Sequence, residues 1–240
     1  MLSKKPWRTE VVLFFCAAQA SCLFLGVALI GILQKMQVTG FHSDEDFGNP
    51  LVATLSFQGA TWLLIPIFLR LHGISFRDAF GLKKGNWLSA VLLAVGVVIV
   101  ILPVSEALMQ VSVHVLDHFG WKEHNEEAVT LVTGAKAFWM KVYLDVFTVA
   151  LAPVAEEFIF RGVLYTYIKQ LGYPWLAFFG VSALFALIHG DAAIAVPLFV
   201  LALALTWLYE KTDNLLAPII AHSLFNTANL ILLALVSKWS

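Results

Sequence analysis

The chain has 240 residues, of which 60% are apolar and 13% charged, with a mean hydropathy of +0.84. Soluble domains run nearer about 45–50% apolar and about 25% charged, so this composition excludes an ordinary soluble domain and a disordered chain. Fifteen Lys and Arg against sixteen Asp and Glu leave a net charge of −1, which excludes a basic field able to attract nucleic-acid phosphates. At roughly 20 residues per span, the length fits one integral membrane domain, 1–240, built as an all-α polytopic helix bundle of about seven to eight spans.

In chain order, Val11 to Gln34 contains no ionisable side chain and predicts a first span. Lys4, Lys5 and Arg8 precede it and Ala18-Gln19-Ala20 resembles a signal cleavage site, but the apolar run continues well past that point, which predicts an uncleaved span. Cys16 and Cys22 lie six apart within this run, on different helix faces, and read as small packing residues rather than a disulfide. Leu51–Leu69 and Trp87–Leu108 predict the next two spans, separated by a polar stretch holding Arg70, Arg77, Lys83 and Lys84. Residues 110–136 are mixed and charged, which predicts an outside loop or interfacial helix. There His114 and His118 have metal-ligand spacing beside Glu123 and His124, but the polar setting reads as a solvated face.

Phe138–Arg161 is apolar yet carries Lys141, Asp145, Glu156, Glu157 and Arg161. The helical pattern runs on to Gln170 and stops at the turn signal Leu171-Gly172-Tyr173-Pro174. Trp175–His189, Ala192–Tyr209 and Leu215–Val236 follow, the last broken only by His222 among ionisable groups. Trp7, Trp87, Trp121, Trp175 and Trp239 near span ends read as an interfacial aromatic belt. Ten of the fifteen basic residues fall on inner segments if the N-terminus is inside, which predicts that orientation.

An ionisable group within a span costs roughly 2.5–3.5 kcal/mol, so Glu156, Glu157, Arg161, His189 and His222 point to a functional site unless they are one buried ion pair and two hydrogen-bonded histidines. Glu157 and Arg161 are i and i+4 with the acid first, the favourable order for a pair on one helix face. Glu156 is turned about 100° from Glu157, which leaves it free to act as a general base. Glu156 lies 17 residues before Tyr173 and His189 lies 16 after it. In an antiparallel hairpin of two unbroken helices both sit about 25 Å from the turn, so a carboxylate and an imidazole can share one water. His222 and Asn226, again i and i+4, can donate to a developing oxyanion or serve as interhelical glue, as can Asn229 a turn further. The same depth arithmetic does not bring His222 level with His189. Asp191 either orients His189 or marks the water interface.

Three motifs resemble those of the CPBP family, the type II CAAX prenyl endopeptidases and their bacterial relatives. Glu156-Glu157-Phe158-Ile159-Phe160-Arg161 resembles its EExxxR motif, Phe185-Ala186-Leu187-Ile188-His189 its FxxxH motif, and His222-Ser223-Leu224-Phe225-Asn226 its HxxxN motif. They stand in order on successive apolar segments, over about residues 140–230. The resemblance implies an intramembrane endopeptidase with a conical, water-accessible cavity lined by the fourth, fifth and last helices. It implies that Glu156 and His189 activate the water, that His222 and Asn226 stabilise the oxyanion, and that Glu157 and Arg161 give structural support. No cofactor beyond water is expected. Metal dependence is disfavoured because no compact ligand motif such as HExxH occurs, and a zinc ion, if present, would take Glu156, His189 and His222. The expected partners are the lipid bilayer and a membrane-anchored protein or peptide substrate, with no nucleic acid, and the expected location is a bacterial inner membrane. Two alternatives stay open: a proton- or ion-coupled transporter using the buried Glu and His as a relay, and a non-catalytic immunity or binding protein. A transporter should carry inverted repeats and Gly- or Pro-interrupted helices, which the sequence does not show.

Overall fold

A computed structural model describes residues 6–41, 46–82, 87–121 and 138–236. Among them every regular element is helical. In chain order these are α1 (Thr9–Lys35), α2 (Gly48–His72), a single turn α3 (Phe76–Ala79), α4 (Trp87–His118), α5 (138–170), α6 (174–187), α7 (Ala192–Thr212) and α8 (Leu216–Val236). Five of them (α1, α2, α4, α7 and α8) are long and apolar enough to cross a membrane. Helices satisfy every backbone group internally, which hydrocarbon requires. Phe14, Phe24, Val27, Leu63, Leu92 and Ile99 lie exposed on α1, α2 and α4, an apolar surface that suits contact with lipid on these span-length helices. The protein is therefore an integral membrane protein. Of the seven to eight spans expected, α5 carries too many charges and α6 is too short to meet the same measure.

Two packed regions hold the bundle together. In the first, Phe15 of α1, Phe68 of α2, Phe80, and Phe158, Phe160 and Tyr165 of α5 meet Phe185 of α6 and Tyr209 of α7. In the second, Ala90 and Ala94 of α4 let α7 (Leu201, Leu205, Leu208) and α8 (Ala217, Ala221, Phe225) approach closely, the small-residue packing typical of membrane helices. α4 runs unbroken through His118, so residues 110–118 extend a span rather than form the separate loop or interfacial helix expected. The apolar run simply tolerates Glu106 and His114 on its exposed turns. Glu123 and His124 lie outside the described residues.

Trp7 departs from the expected aromatic belt. Its side chain is buried, its indole N–H donates to the Gly162 carbonyl at 3.0 Å, and its ring packs edge-on against Phe68. Its backbone N–H donates to Gln170, and the next amide, Arg8, donates to His72 Nε2 at 2.8 Å. The segment before α1 is thus pinned to the ends of α2 and α5. Trp87, Trp121 and Trp175 are exposed as expected, and Trp239 lies outside the described residues.

The turn after α3 locks the start of α8. Gly81 has φ +68, and a Cβ there would lie 1.8 Å from the Asp213 carbonyl oxygen, so only glycine fits. Leu215 N–H donates to the Phe80 carbonyl at 3.0 Å, and Asn214 Oδ1 accepts from Leu216 N–H, capping α8. Phe80 in turn presses on Gly162, where a Cβ would meet its ring at 2.5 Å.

Neither α5 nor α6 is a uniform α-helix, as the depth arithmetic assumed. Residues Phe147–Leu151 and Phe158–Tyr165 of α5 and Leu176–Gly180 of α6 widen into π turns, the wide-turn geometry that recurs at functional sites. Pro153 supplies a reason for the first. It has no N–H and its ring clashes with the preceding turn, so the helix must open ahead of it.

Candidate active site

Glu156 and Glu157 sit on the short α-helical stretch of α5 between two π turns. Glu157 is fully buried, and so is Arg161, whose Nη1 donates to Glu157 Oε1 at 2.9 Å. The i,i+4 pairing expected from the sequence is present, but Glu157 does more than balance a charge. The same Oε1 accepts a hydrogen bond from His222 Nδ1 at 2.9 Å. A carboxylate can only accept, so the proton of this bond sits on Nδ1 of the imidazole. The other ring nitrogen, His222 Nε2, then faces Glu156 Oε2 at 3.8 Å. Thus α8 does reach the acidic pair, which a rigid, unbroken-helix depth estimate did not anticipate.

Glu156 differs from its neighbour. Its side chain retains 12% exposure, and its Oε2 is enclosed without a hydrogen-bond partner. It lies within electrostatic reach of both His222 and His189. His189 donates from Nδ1 to the Phe185 carbonyl at 2.7 Å, which leaves Nε2 as the ring atom able to accept a proton. Asp191 does not orient that imidazole. Its carboxylate accepts from Ala193 N–H at 2.7 Å and caps α7, which begins after a link of only four residues, 188–191, from the end of α6.

The Phe185 ring joins the parts. It is fully buried, with the His189 ring at 4.9 Å, the His222 ring at 5.7 Å and the Arg161 guanidinium at 4.9 Å from its centroid. Phe185 is the first position of the Phe185–His189 motif, and this contact gives it a role that the motif pattern alone does not. Its spacing four residues before His189, on the same face, was the available signal.

Asn226 donates from Nδ2 to the Thr148 carbonyl at 2.9 Å. That carbonyl is free for a physical reason. Ala152 N–H reaches back to Phe147 across the π turn, and Pro153 has no N–H to offer Thr148. One amide hydrogen of Asn226 is therefore committed and the second is not. Asn229 is half-buried on the same helix. Sequence reasoning also missed Thr206 and the Ala202 carbonyl on α7, which hold Arg161 from the far side.

The donors do not converge as a metal centre would. Among the described residues no three His, Cys, Asp or Glu side chains are grouped closely enough to hold an ion. The described residues thus offer no ready-made three-donor site.

Fold and cluster together define a class: a polytopic helical membrane protein with an acid–acid–arginine–histidine network buried between its C-terminal helices. Residues 138–228, which supply every residue of this network, match the family model described as type II CAAX prenyl endopeptidase Rce1-like. The family resemblance carried by the three motifs is thereby shown over that segment. A curated relative, the UPF0177 protein YxdF of Lactococcus lactis subsp. lactis (strain IL1403), is 34% identical over 77 residues, which cover 32% of this chain and 42% of that protein. The match thus spans less than half the length of that relative. No solved structure matches the chain.

Proposed function

We propose that this protein is an intramembrane endopeptidase that hydrolyses a peptide bond of a membrane-associated protein or peptide. The observation that carries the reading is an enclosed Glu156 Oε2 without a hydrogen bond that faces His222 Nε2 at 3.8 Å, with the Nδ1 protons of His222 and His189 both committed elsewhere. A water held between Glu156 and His189 Nε2 gives up a proton to them as its oxygen attacks the scissile carbonyl carbon. The second amide hydrogen of Asn226 meets the oxygen that gains negative charge. His222 donates to it from Nε2 when the ring carries a second proton, with Glu157 as the counter-charge. Collapse of the tetrahedral species breaks the C–N bond, and the proton taken from water passes to the leaving nitrogen. Water is consumed and a carboxylic acid and an amine are released, the acid's proton then passing to the amine, with no cofactor. The lipid-facing helices supply the route by which a membrane-anchored substrate arrives.

The test compares membranes of cells making the wild type with cells making Glu156→Gln, an isosteric change. New N-termini of membrane proteins are mapped by mass spectrometry. Wild-type-dependent termini that vanish in Glu156→Gln, with the variant still folded, support hydrolysis. Identical termini in both overturn it. A Glu156-dependent proton flux in vesicles without any cleavage replaces it with transport.

A further inference from the structure

The guanidinium of Arg161 is held from two sides. Along α5 its Nη1 donates to Glu157 Oε1, and toward α7 its Nη2 donates to the Ala202 carbonyl at 2.9 Å and its Nε to Thr206 Oγ1 at 3.3 Å. Ala202 and Thr206 are one turn apart, so two acceptors meet the planar fork of donors. The direction of the Thr206 hydroxyl is fixed as well. It donates its hydrogen to the Ala202 carbonyl at 2.8 Å, so only its lone pairs can face Arg161. Ser182, 3.4 Å away, spends its own hydrogen on the Phe178 carbonyl at 2.7 Å. Thr206, Ser182, Arg161 and Glu157 are all fully buried, so water cannot replace any of these partners.

Glu157 Oε2 makes no hydrogen bond, so Oε1 carries both Arg161 and His222. If the guanidinium rotates, that oxygen moves and the His222 ring loses the acceptor that keeps its proton on Nδ1. We propose that Thr206 is a positioning residue that acts through Arg161 and Glu157 to fix the ring orientation and the tautomer of His222. Its catalytic consequence rests on the hydrolase reading above; the tautomer itself does not.

The experiment uses the full chain in lipid nanodiscs with 15N-labelled histidine. The His222 signals are identified by their loss in His222→Gln. The wild type should show the His222 proton on Nδ1, shifted downfield by the Glu157 bond. Thr206→Val, nearly the same shape, should shift that signal toward a tautomer mixture. With a fluorogenic farnesylated CAAX-type peptide as probe it should lower kcat by about 10-fold while KM stays within about twofold. Thr206→Ser, which keeps the hydroxyl, should restore both. A wild-type proton on Nε2 overturns the proposal, as does an unchanged spectrum and kcat in Thr206→Val. If Thr206→Val does not fold, Thr206→Ala is read the same way. A wild type that shows the expected tautomer but leaves the probe and all membrane proteins uncut defeats the hydrolase reading alone.

Discussion

Glu157 Oε1 stands 2.9 Å from Arg161 Nη1 and 2.9 Å from His222 Nδ1, so one buried oxygen ties α5 to α8. This is the relationship that converts two helix-borne motifs into one site. Without it His222 would have no fixed orientation relative to Glu156, whose Oε2 its Nε2 faces at 3.8 Å.

Breaking this pair should be costly. Arg161→Met keeps the length of the side chain and removes its charge, leaving Glu157 buried without compensation. A loss of about 3–5 kcal/mol is expected, because an uncompensated charge pays its full desolvation. Adding Glu157→Gln to Arg161→Met should recover part of the loss, since the stranded charge is then gone. Denaturant unfolding in detergent checks both values, and a double variant no more stable than Arg161→Met would contradict the pairing.

The turn at Gly81 should be intolerant of any side chain. Gly81→Ala combines a positive φ with a Cβ driven into the Asp213 carbonyl. A loss of about 2–4 kcal/mol is expected from strain and overpacking. The damage should be local at first, with amide exchange rising at Leu215 and Leu216, where α8 begins. Exchange unchanged at those amides would show that the turn does not set the start of α8.

The N-terminal anchor gives a milder effect. Trp7→Phe keeps the ring against Phe68 but leaves the Gly162 carbonyl without its donor. The expected loss is about 1–3 kcal/mol, the cost of a buried unsatisfied acceptor. A shift in the unfolding midpoint with an unchanged slope is the predicted signature.

The chemistry of the site was legible in the sequence because charge in an apolar run is rare. Glu156, Glu157, Arg161, His189 and His222 stood out for that reason, and the i,i+4 spacing of Glu157 and Arg161 forecast their ion pair. The geometry between helices was not legible. The π turns of α5 and α6 leave no mark in the hydrophobic pattern, and counting at 1.5 Å per residue along single helices does not give the contact of His222 with Glu157 between helices. Thr206 and Ala202 were invisible for a different reason. A threonine and a backbone carbonyl on an apolar helix look like packing until a partner from another helix arrives. Trp7 was misread because proximity to a span end suggests an interface, whereas burial depends on the neighbours that only the folded chain supplies.

The claim at the centre of this account is that Glu156 and His189 act on one water as a unit, and a double-variant cycle tests it most directly. Cleavage of a membrane-protein site mapped as above is measured for Glu156→Gln, His189→Gln and the two combined, each confirmed to be folded. The prediction is that either single change removes nearly all activity and that the double variant is no slower than the slower single one. Losses that simply multiply, or a single variant that keeps the wild-type rate, would contradict it.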